Sequence, residues 1–464
     1  MIRIFRHYIS RAYLVLLLAE FCMFFAAMYW GSDVRFLMSE SWYTDNHITL
    51  ASFIFSSVMS LSCIGLGLYR RTLSGEEYNL MTRVCISFGF GLGILLLVGI
   101  YYLLPDLYMA RSVLVFAIML AFMGMSLIRY LFYKFANFDH LKRRFLVIGS
   151  GEKAQQLISL NESLVHKGFN IVGFLTLTDE VPIIDSSLII AYDQPLIKIA
   201  EDYKIDEIVI AIHDRRLGLP FDELLDCKMS GLTIMNIVEF YEREQGIISL
   251  ANVNPSWLIF CDGFAQGDLR GLKKRIVDLL ASILLLSVAW PIMCLTAFAI
   301  LLESGFKAPI LYRQVRVGEK NQPFKVLKFR SMKTDAEKNG AQWAQKNDDR
   351  ITTVGRFIRA CRIDELPQIL NVLRGDMSFV GPRPERPEFV DGFNERIPYY
   401  RERHRVKPGI TGWAQLCYPY GADEYDTIQK LQYDLYYVKN YSLFLDFSIL
   451  FNTVEVILWG RGAR

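Results

Sequence analysis

Four apolar runs crowd the first third of this chain, at residues 12–30, 48–69, 84–104 and 113–133. Each is close to the ~20 residues a helix needs to cross the hydrocarbon core of a bilayer. A soluble bundle would have to bury all four. Separated as they are by short polar loops, they predict four transmembrane helices over residues 1–140. Trp30, Tyr69, Tyr101 and Tyr102 stand near the run ends, where an interfacial aromatic belt belongs. The first run is too long for a cleavable leader and lacks a small-residue cleavage site. Arg3, Arg6 and Arg11 precede it, and Asp33, Glu40 and Asp45 outweigh Arg35 after it. Arg70, Arg71 and Arg83 fill the next loop, Asp106 and Arg111 the third, and Lys134, Lys142, Arg143 and Arg144 follow the fourth run. This alternation puts the N-terminus and everything beyond residue 140 on the cytoplasmic side.

Residues 141–245 read differently. Arg144-Phe-Leu-Val-Ile-Gly-Ser-Gly is a short apolar strand entering a Gly-rich turn, and further strands are expected at 171–175, 189–190 and 207–212. Strands alternating with helical patterns predict a Rossmann-like, parallel α/β module. Gly149-x-Gly151-x-x-Ala154 looks like a dinucleotide fingerprint, in which glycines let a pyrophosphate approach a helix N-terminus. No acid stands convincingly at the end of the second strand, Asp179 being the nearest offer. The module is therefore expected to regulate, or to join two copies as a homodimer, rather than to hold a cofactor. Residues 246–270, rich in Gly, Pro and Asn, read as a linker. The net charge of +3 supplies no bulk attraction for nucleic acid. Eight cysteines without a single C-x-x-C pair argue against zinc and against a disulfide framework.

A fifth apolar segment, 276–302, carries Trp290-Pro291 near its middle, where proline removes a backbone donor and kinks or breaks a helix. Both flanks are basic: Lys273, Lys274 and Arg275 before, Lys307, Arg313 and Arg316 after. Positive charge on both sides favours a re-entrant helix with both ends cytoplasmic, each half being too short to span.

Residues 271–464 hold the chemistry. Basic residues recur at Arg313, Arg316, Lys325, Lys328 and Arg330, and again at Arg356, Arg359 and Arg362, spaced by three on a helix expected over 353–363. A row of guanidinium groups suits a polyanion such as a pyrophosphate. Asp364-Glu365 follows directly. Ahead of Pro367, Asp364 could simply cap a helix. Two carboxylates beside an arginine row can also bind a Mg²⁺ that holds a diphosphate, or attack phosphorus. Spacing alone leaves both readings open. Downstream, Pro382-Arg383-Pro384 forms a stiff turn, and Lys407-Pro-Gly-Ile-Thr-Gly-Trp-Ala-Gln415 a second Gly/Pro-rich loop. Residues 443–459, apolar with Asp446 and Glu455, suggest a helix lying on the bilayer surface.

Taken in order, Lys274-Arg275-x-x-Asp278, the Pro-broken apolar segment, Lys328-Phe-Arg-Ser-Met, Arg359 ahead of Asp364-Glu-Leu-Pro-Gln, Gly375-Asp-Met-Ser-Phe-Val-Gly-Pro-Arg-Pro and the Lys407 loop resemble the bacterial sugar transferase family of polyprenyl-phosphate phosphoglycosyl transferases. The four N-terminal helices and the α/β module are similar to its large, WbaP-like members, which start exopolysaccharide or O-antigen synthesis. The resemblance implies a two-step reaction. The Asp364 carboxylate would take a sugar phosphate from a UDP-sugar, with UDP-glucose preferred, and UMP would leave. Undecaprenyl phosphate would then take the phosphosugar from Asp364. Glu365 would assist, and Mg²⁺ would sit at Asp364. Lys328, Arg330, Arg359, Pro382, Arg383 and Pro384 would contact the donor. The setting would be the inner membrane of a bacterium. The family's membrane break is often Ser-Pro, here Trp290-Pro291. An arginine common after the Gln415 position has no counterpart in Leu416-Cys-Tyr-Pro-Tyr-Gly421.

The alternative is a membrane-anchored nucleotide-sugar dehydratase or reductase using the α/β module. That chemistry needs Tyr-x-x-x-Lys, for which only Tyr130 and Lys134 offer themselves, at the end of a membrane run. A metal-dependent glycosyltransferase would commonly show Asp-x-Asp, which is absent.

Overall fold

The architecture comes from a computed structural model, which describes residues 2–4, 7–9, 11–39, 48–65, 68–69, 85–87, 89–98, 111–136, 142–163, 169–177, 182–212, 218–264, 267–334, 336, 349–418 and 423–458. Glu40, Asp45, Arg70, Arg71, Arg83, Tyr101, Tyr102, Asp106, Asp179, Pro419, Tyr420, Gly421 and Trp459 lie outside these. The chain divides into two units, residues 1–2 with 8–244 and residues 3–7 with 245–464.

The first unit opens with apolar helices α1 (Arg11–Ser39), α2 (Ile48–Gly65) and α3 (Arg111–Ala136), and helical residues within Cys85–Val98. Leu14–Gly31 and Val113–Phe132 are long and apolar enough to span a bilayer, whereas Ile48–Ile64 and Cys85–Val98 are shorter apolar helices. Helix α1 packs along α3 and α2. A side chain at Gly31 would meet the Ala117 nitrogen at 3.1 Å and the Val113 carbonyl at 3.2 Å, so a small residue lets α1 and α3 approach. Inside this apolar packing lie Glu20 and Arg129, both fully buried, with Nε 2.7 Å from Oε1. The Tyr69 hydroxyl also donates to Glu20. Charges at this depth persist only when paired. Removing one partner strands the other, so Glu20→Ala should destabilise this unit by about 3–5 kcal/mol. A lower midpoint in detergent unfolding, partly restored in Glu20→Gln, would show it.

Next comes a four-stranded sheet of β1 (Arg143–Ile148), β2 (Phe169–Leu175), β3 (Glu207–Ile210) and β4 (Thr233–Asn236), all parallel, in the order β2-β1-β3-β4. Helices α4 (Glu152–Ser163), α5 (Leu196–Asp202), α6 (Phe221–Met229) and α7 (Ile237–Gln245) alternate with it. Four successive buried residues at the end of β1 reflect a strand covered on both faces. The expected strand at 189–190 is only a single bridge from Ile189 to Phe174, and β4, with no alternation to announce it, was not legible. The Gly-rich turn is engaged by its own chain. Gly149, at φ +120°, lies where a Cβ would meet the Ala211 carbonyl at 2.7 Å, its N–H donates to Leu175, and the Ser150 carbonyl accepts from Ile183. The first fingerprint glycine is thus needed for strand ends to close on one another.

The second unit begins with residues 246–253 packed against its own helices: Ile248 donates to the Gln432 carbonyl, and Gly246 accepts from Trp413 Nε1 at 2.8 Å. After α8 (Pro255–Phe260) comes α9 (Asp268–Glu303), a 36-residue helix that continues through Trp290 and Pro291, so the proline sits inside one helix rather than between two. The antiparallel hairpin β5 (Leu311–Val317) and β6 (Pro323–Phe329) follows. Then come α10 (Thr353–Ala360), α11 (Gln368–Arg374), β7 (Ser378–Val380), α12 (Pro387–Arg396), β8 (Gly409–Thr411), α13 (Trp413–Cys417), α14 (Glu424–Asn440) and α15 (Leu443–Leu458), with β8 parallel to β7. Both halves of α9 touch this unit. Lys274 and Asp278 bond to β7 and its flank, while Ile300 packs with Phe329 and Ile358, and Glu303 accepts from the Val354 nitrogen at 3.0 Å. Between them Leu280, Ile283, Leu284, Val288 and Trp290 are exposed. All eight cysteines are free.

Candidate functional site

Helix α10 ends at Ala360, and Arg362 turns the chain through a left-handed conformation, φ 58°, into a short 3-10 turn, Ile363–Glu365. The arginine row is therefore shorter than its spacing suggested. Arg356 and Arg359 share the helix, and Arg362 lies beyond its end. A non-glycine residue in this region is uncommon and costs about 1–2 kcal/mol. Such strain tends to gather where a site has to be shaped.

The capping reading of Asp364 fails. Helix α11 starts at Gln368 with Pro367 in the cap position and no side-chain cap. Asp364 instead points into the fold, 8% exposed, and its surroundings are electrostatic only, with no hydrogen bond to its carboxylate among the described residues. Glu365 is differently held. Its Oε1 lies 2.7 Å from Lys328 Nζ and 3.4 Å from Arg383 Nη2. Burial pushes the Asp364 carboxyl up and Glu365 pushes the same way, against the pull of Lys328, Arg359 and Arg362. Burial would also raise Glu365, but Lys328 and Arg383 outweigh it and hold that carboxyl well below the usual range. Two adjacent carboxyls with ordinary values near 4 thus separate into a fixed anion and an uncommitted group.

Several elements meet to make this geometry. Lys328 lies near the end of β6, and Arg330 follows the strand with its Nε buried and without a hydrogen-bond partner. Asn371, fully buried on α11, braces β6 like a missing strand: its Oδ1 accepts from the Leu327 nitrogen at 3.0 Å and its Nδ2 donates to the Lys325 carbonyl at 2.8 Å. Sequence reasoning passed over Asn371, although an amide inside Ile-Leu-Asn-Val-Leu is a signal. The turn bearing Arg383 is pinned on either side. The Pro382 carbonyl accepts from Gly409 at 3.0 Å and the Pro384 carbonyl from Arg316 Nη1 at 3.1 Å. Lys328, Arg383 and the two acids therefore come together. Arg359 and Arg362 act on Asp364 through charge, Arg356 is exposed, and Trp290 and Pro291 lie on the exposed stretch of α9.

Among the described residues no group of three His, Cys, Asp or Glu side chains could cage a metal ion, and Glu365 is already engaged by two cations. This donor set suits Mg²⁺ only in the mode where one carboxylate, Asp364, is completed by phosphate oxygens and water. Tyr130 and Lys134 are both exposed on the apolar helix α3, the ammonium 5.9 Å from the ring centre, a poor setting for reductase chemistry. Replacing Asn371 with Ala leaves the Lys325 carbonyl and Leu327 amide unpaired inside the fold. That variant should lose about 1–3 kcal/mol in chemical denaturation.

Comparison with known proteins bears on the same region. The family profile described as bacterial sugar transferase matches residues 269–460, and one described as a CoA-binding domain matches residues 65–216. A UDP-N-acetylgalactosamine-undecaprenyl-phosphate N-acetylgalactosaminephosphotransferase of Aeromonas hydrophila is 41% identical over 56% of this chain and 61% of its own. An undecaprenyl-phosphate glucose phosphotransferase of Komagataeibacter xylinus is 33% identical over 70% of this chain and 60% of its own, so the chain spans about six tenths of either relative. A UDP-glucose:undecaprenyl-phosphate glucose-1-phosphate transferase of Klebsiella pneumoniae is 32% identical over 84% of both chains.

Proposed function

This chain belongs to the bacterial sugar transferase family, and on that footing we propose that its second unit moves a sugar 1-phosphate from a UDP-sugar to undecaprenyl phosphate, through a phosphosugar carried on Asp364. The observation that carries this reading is the division of labour between Asp364 and Glu365. A nucleophile on phosphorus needs an uncommitted carboxylate and nearby positive charge to suppress repulsion between anions. Asp364 has both. An Asp364 oxygen attacks the β-phosphorus, the bond from that phosphorus to the bridging oxygen breaks, and UMP leaves with that oxygen. A phosphate oxygen of undecaprenyl phosphate then attacks the same phosphorus and frees the carboxylate. Glu365, ionised and fixed, holds Lys328 and Arg383 toward the diphosphate. Arg330, with its unpartnered buried Nε, and Arg359 supply further donors, and the stiff Pro382-Arg383-Pro384 turn faces the uridine end. Mg²⁺ held by Asp364 and the diphosphate would supply charge neutralisation. UDP-glucose is the first donor to try, since the relative matched along 84% of both chains carries glucose in its name, while the Aeromonas relative carries N-acetylgalactosamine. The product would begin an exopolysaccharide.

We further read the protein as an inner-membrane enzyme with α9 re-entrant and the second unit cytoplasmic. Asp278 and Ile300 would be about 33 Å apart along a straight helix, roughly one hydrocarbon thickness. Yet both pack on the same unit, with a run of exposed apolar residues between them. A spanning helix would require that unit on both faces of the membrane. A helix bent at Pro291, which cannot donate to the Ser287 carbonyl, dips in and returns.

Purified protein given UDP-glucose and Mg²⁺ without lipid should release UMP in one burst and keep a labelled sugar phosphate. Both signals should vanish in Asp364→Asn. UMP release that depends wholly on lipid and leaves no adduct would point instead to direct attack by the lipid phosphate. Because the raised Asp364 carboxyl must ionise to attack, the burst rate should fall as pH drops through a point above the ordinary aspartate range. Removing Lys328, which pulls that carboxyl down, should move the fall to higher pH. For topology, single cysteines placed after residue 303 should resist an impermeant thiol reagent applied to intact cells. Efficient labelling from outside would exclude the re-entrant arrangement.

A further inference from the structure

Arg403 sits in the 3-10 segment Tyr400–Arg405, buried to 6% exposure, opposite Asp434 of α14, which is 2% exposed. The two form an ion pair with Nη2 2.7 Å from Oδ2. Desolvating both partners costs several kcal/mol apiece, and such pairs are weak sources of stability. Their presence calls for a role other than holding the fold together. The remaining contacts of the guanidinium give one. Nη1 donates to the Tyr400 hydroxyl at 2.7 Å, and Nη2 also donates to the main-chain carbonyl of Arg383 at 2.9 Å. Arg383 is the residue whose own guanidinium reaches Glu365 at 3.4 Å. The carbonyls on either side, of Pro382 and Pro384, are held by a backbone amide and by the less buried Arg316. Only the middle carbonyl of the turn is gripped by a charge sealed inside the unit.

We propose that Arg403, charge-balanced by Asp434, is a positioning residue that fixes the main chain of Arg383 and so sets the Arg383 guanidinium against Glu365 and the donor diphosphate. The proposal rests on the phosphotransfer reading above. The planar guanidinium holds a carboxylate, a carbonyl and a hydroxyl in one fixed fork, a geometry that the shorter-reaching, compact ammonium of a lysine at this position does not reproduce. Burial pushes the Asp434 carboxyl up to about 6, with Glu385 pushing the same way and Arg403 and Lys430 opposing, so the pair is complete at neutral pH and above.

The test is a double-mutant cycle on UMP release with UDP-glucose, using full-length protein. Arg403→Lys should lower kcat/KM by about 100-fold, the loss expected from a small misplacement of a catalytic group. Asp434→Asn should lower it in the same direction by less. If both act through Arg383, neither should reduce activity further in an Arg383→Ala background. Losses that multiply in that background, or an Asp434→Asn enzyme as active as wild type, would overturn the proposal. Should Arg403→Lys melt early, Asp434→Asn, close in shape, carries the cycle alone. Wild-type UMP release tests the underlying reaction separately: its absence would defeat the proposed function, whereas its presence with additive losses would defeat only the role of Arg403.

Discussion

The second unit is organised around one half-buried ammonium. Lys274, near the start of α9, donates to the Val380 carbonyl at 3.0 Å, to the Tyr437 hydroxyl at 3.1 Å and to Asp446 Oδ2 at 2.6 Å. Tyr437 donates its one hydroxyl proton to Asp446 Oδ1 at 2.6 Å, with the same Val380 carbonyl 3.0 Å away. One turn further along α9, Asp278 accepts from the Ser378 hydroxyl and the Phe379 amide. A helix with a long apolar face is thereby bolted to strand β7, and β7 runs directly into the turn that presents Arg383. Had these been apolar contacts, α9 could slide against the strand at little cost. A half-buried charge with three fixed acceptors, one of them the buried Asp446, favours a single register, because any slip leaves a buried polar group unpaired.

That fixed register matters because the proposed chemistry depends on an electrostatic difference between two adjacent carboxyls. Asp364 and Glu365 are neighbours in sequence, yet one is tied by two cations and the other is not. The tie comes from Lys328 on a hairpin and Arg383 on a turn, two pieces far apart in the chain. Asn371 holds the first to the dyad by completing hydrogen bonds of β6. Two parallel residues of β8 and the carbonyl clamps hold the second. In a site with this much desolvated charge, a loosely placed cation would let Glu365 rise and compete with Asp364 for protons and phosphate.

Much of the candidate site was legible because the residues that carry it are chemically conspicuous. An arginine row, adjacent acids and a Pro-Arg-Pro turn stand out in a chain whose other stretches are apolar. What misled was local geometry. Asp364 before Pro367 looks like a helix cap, but helix α11 begins at Gln368, leaving a 3-10 turn in which the carboxylate is free to face inward. Arg362 continued a three-residue spacing, but its left-handed backbone takes it off the helix. The Gly149 fingerprint looks like a pyrophosphate turn, and the structure adds a packing reason for its glycine, which lies where three strand ends crowd together.

The sequence by itself determined that apolar helices lead into a parallel α/β module and a polar, acid- and arginine-bearing unit, because hydrophobic periodicity and run length depend only on neighbouring residues. It also singled out Asp364 and Glu365 as a pair. Only the tertiary structure decided how that pair divides, since the cations that separate them arrive from β6 and from the turn after β7. The ion pair of Arg403 with Asp434, and that of Glu20 with Arg129, were likewise invisible in one dimension: each joins residues on different elements, and burial, which makes either charge costly to leave without its partner, is a property of the packed chain alone.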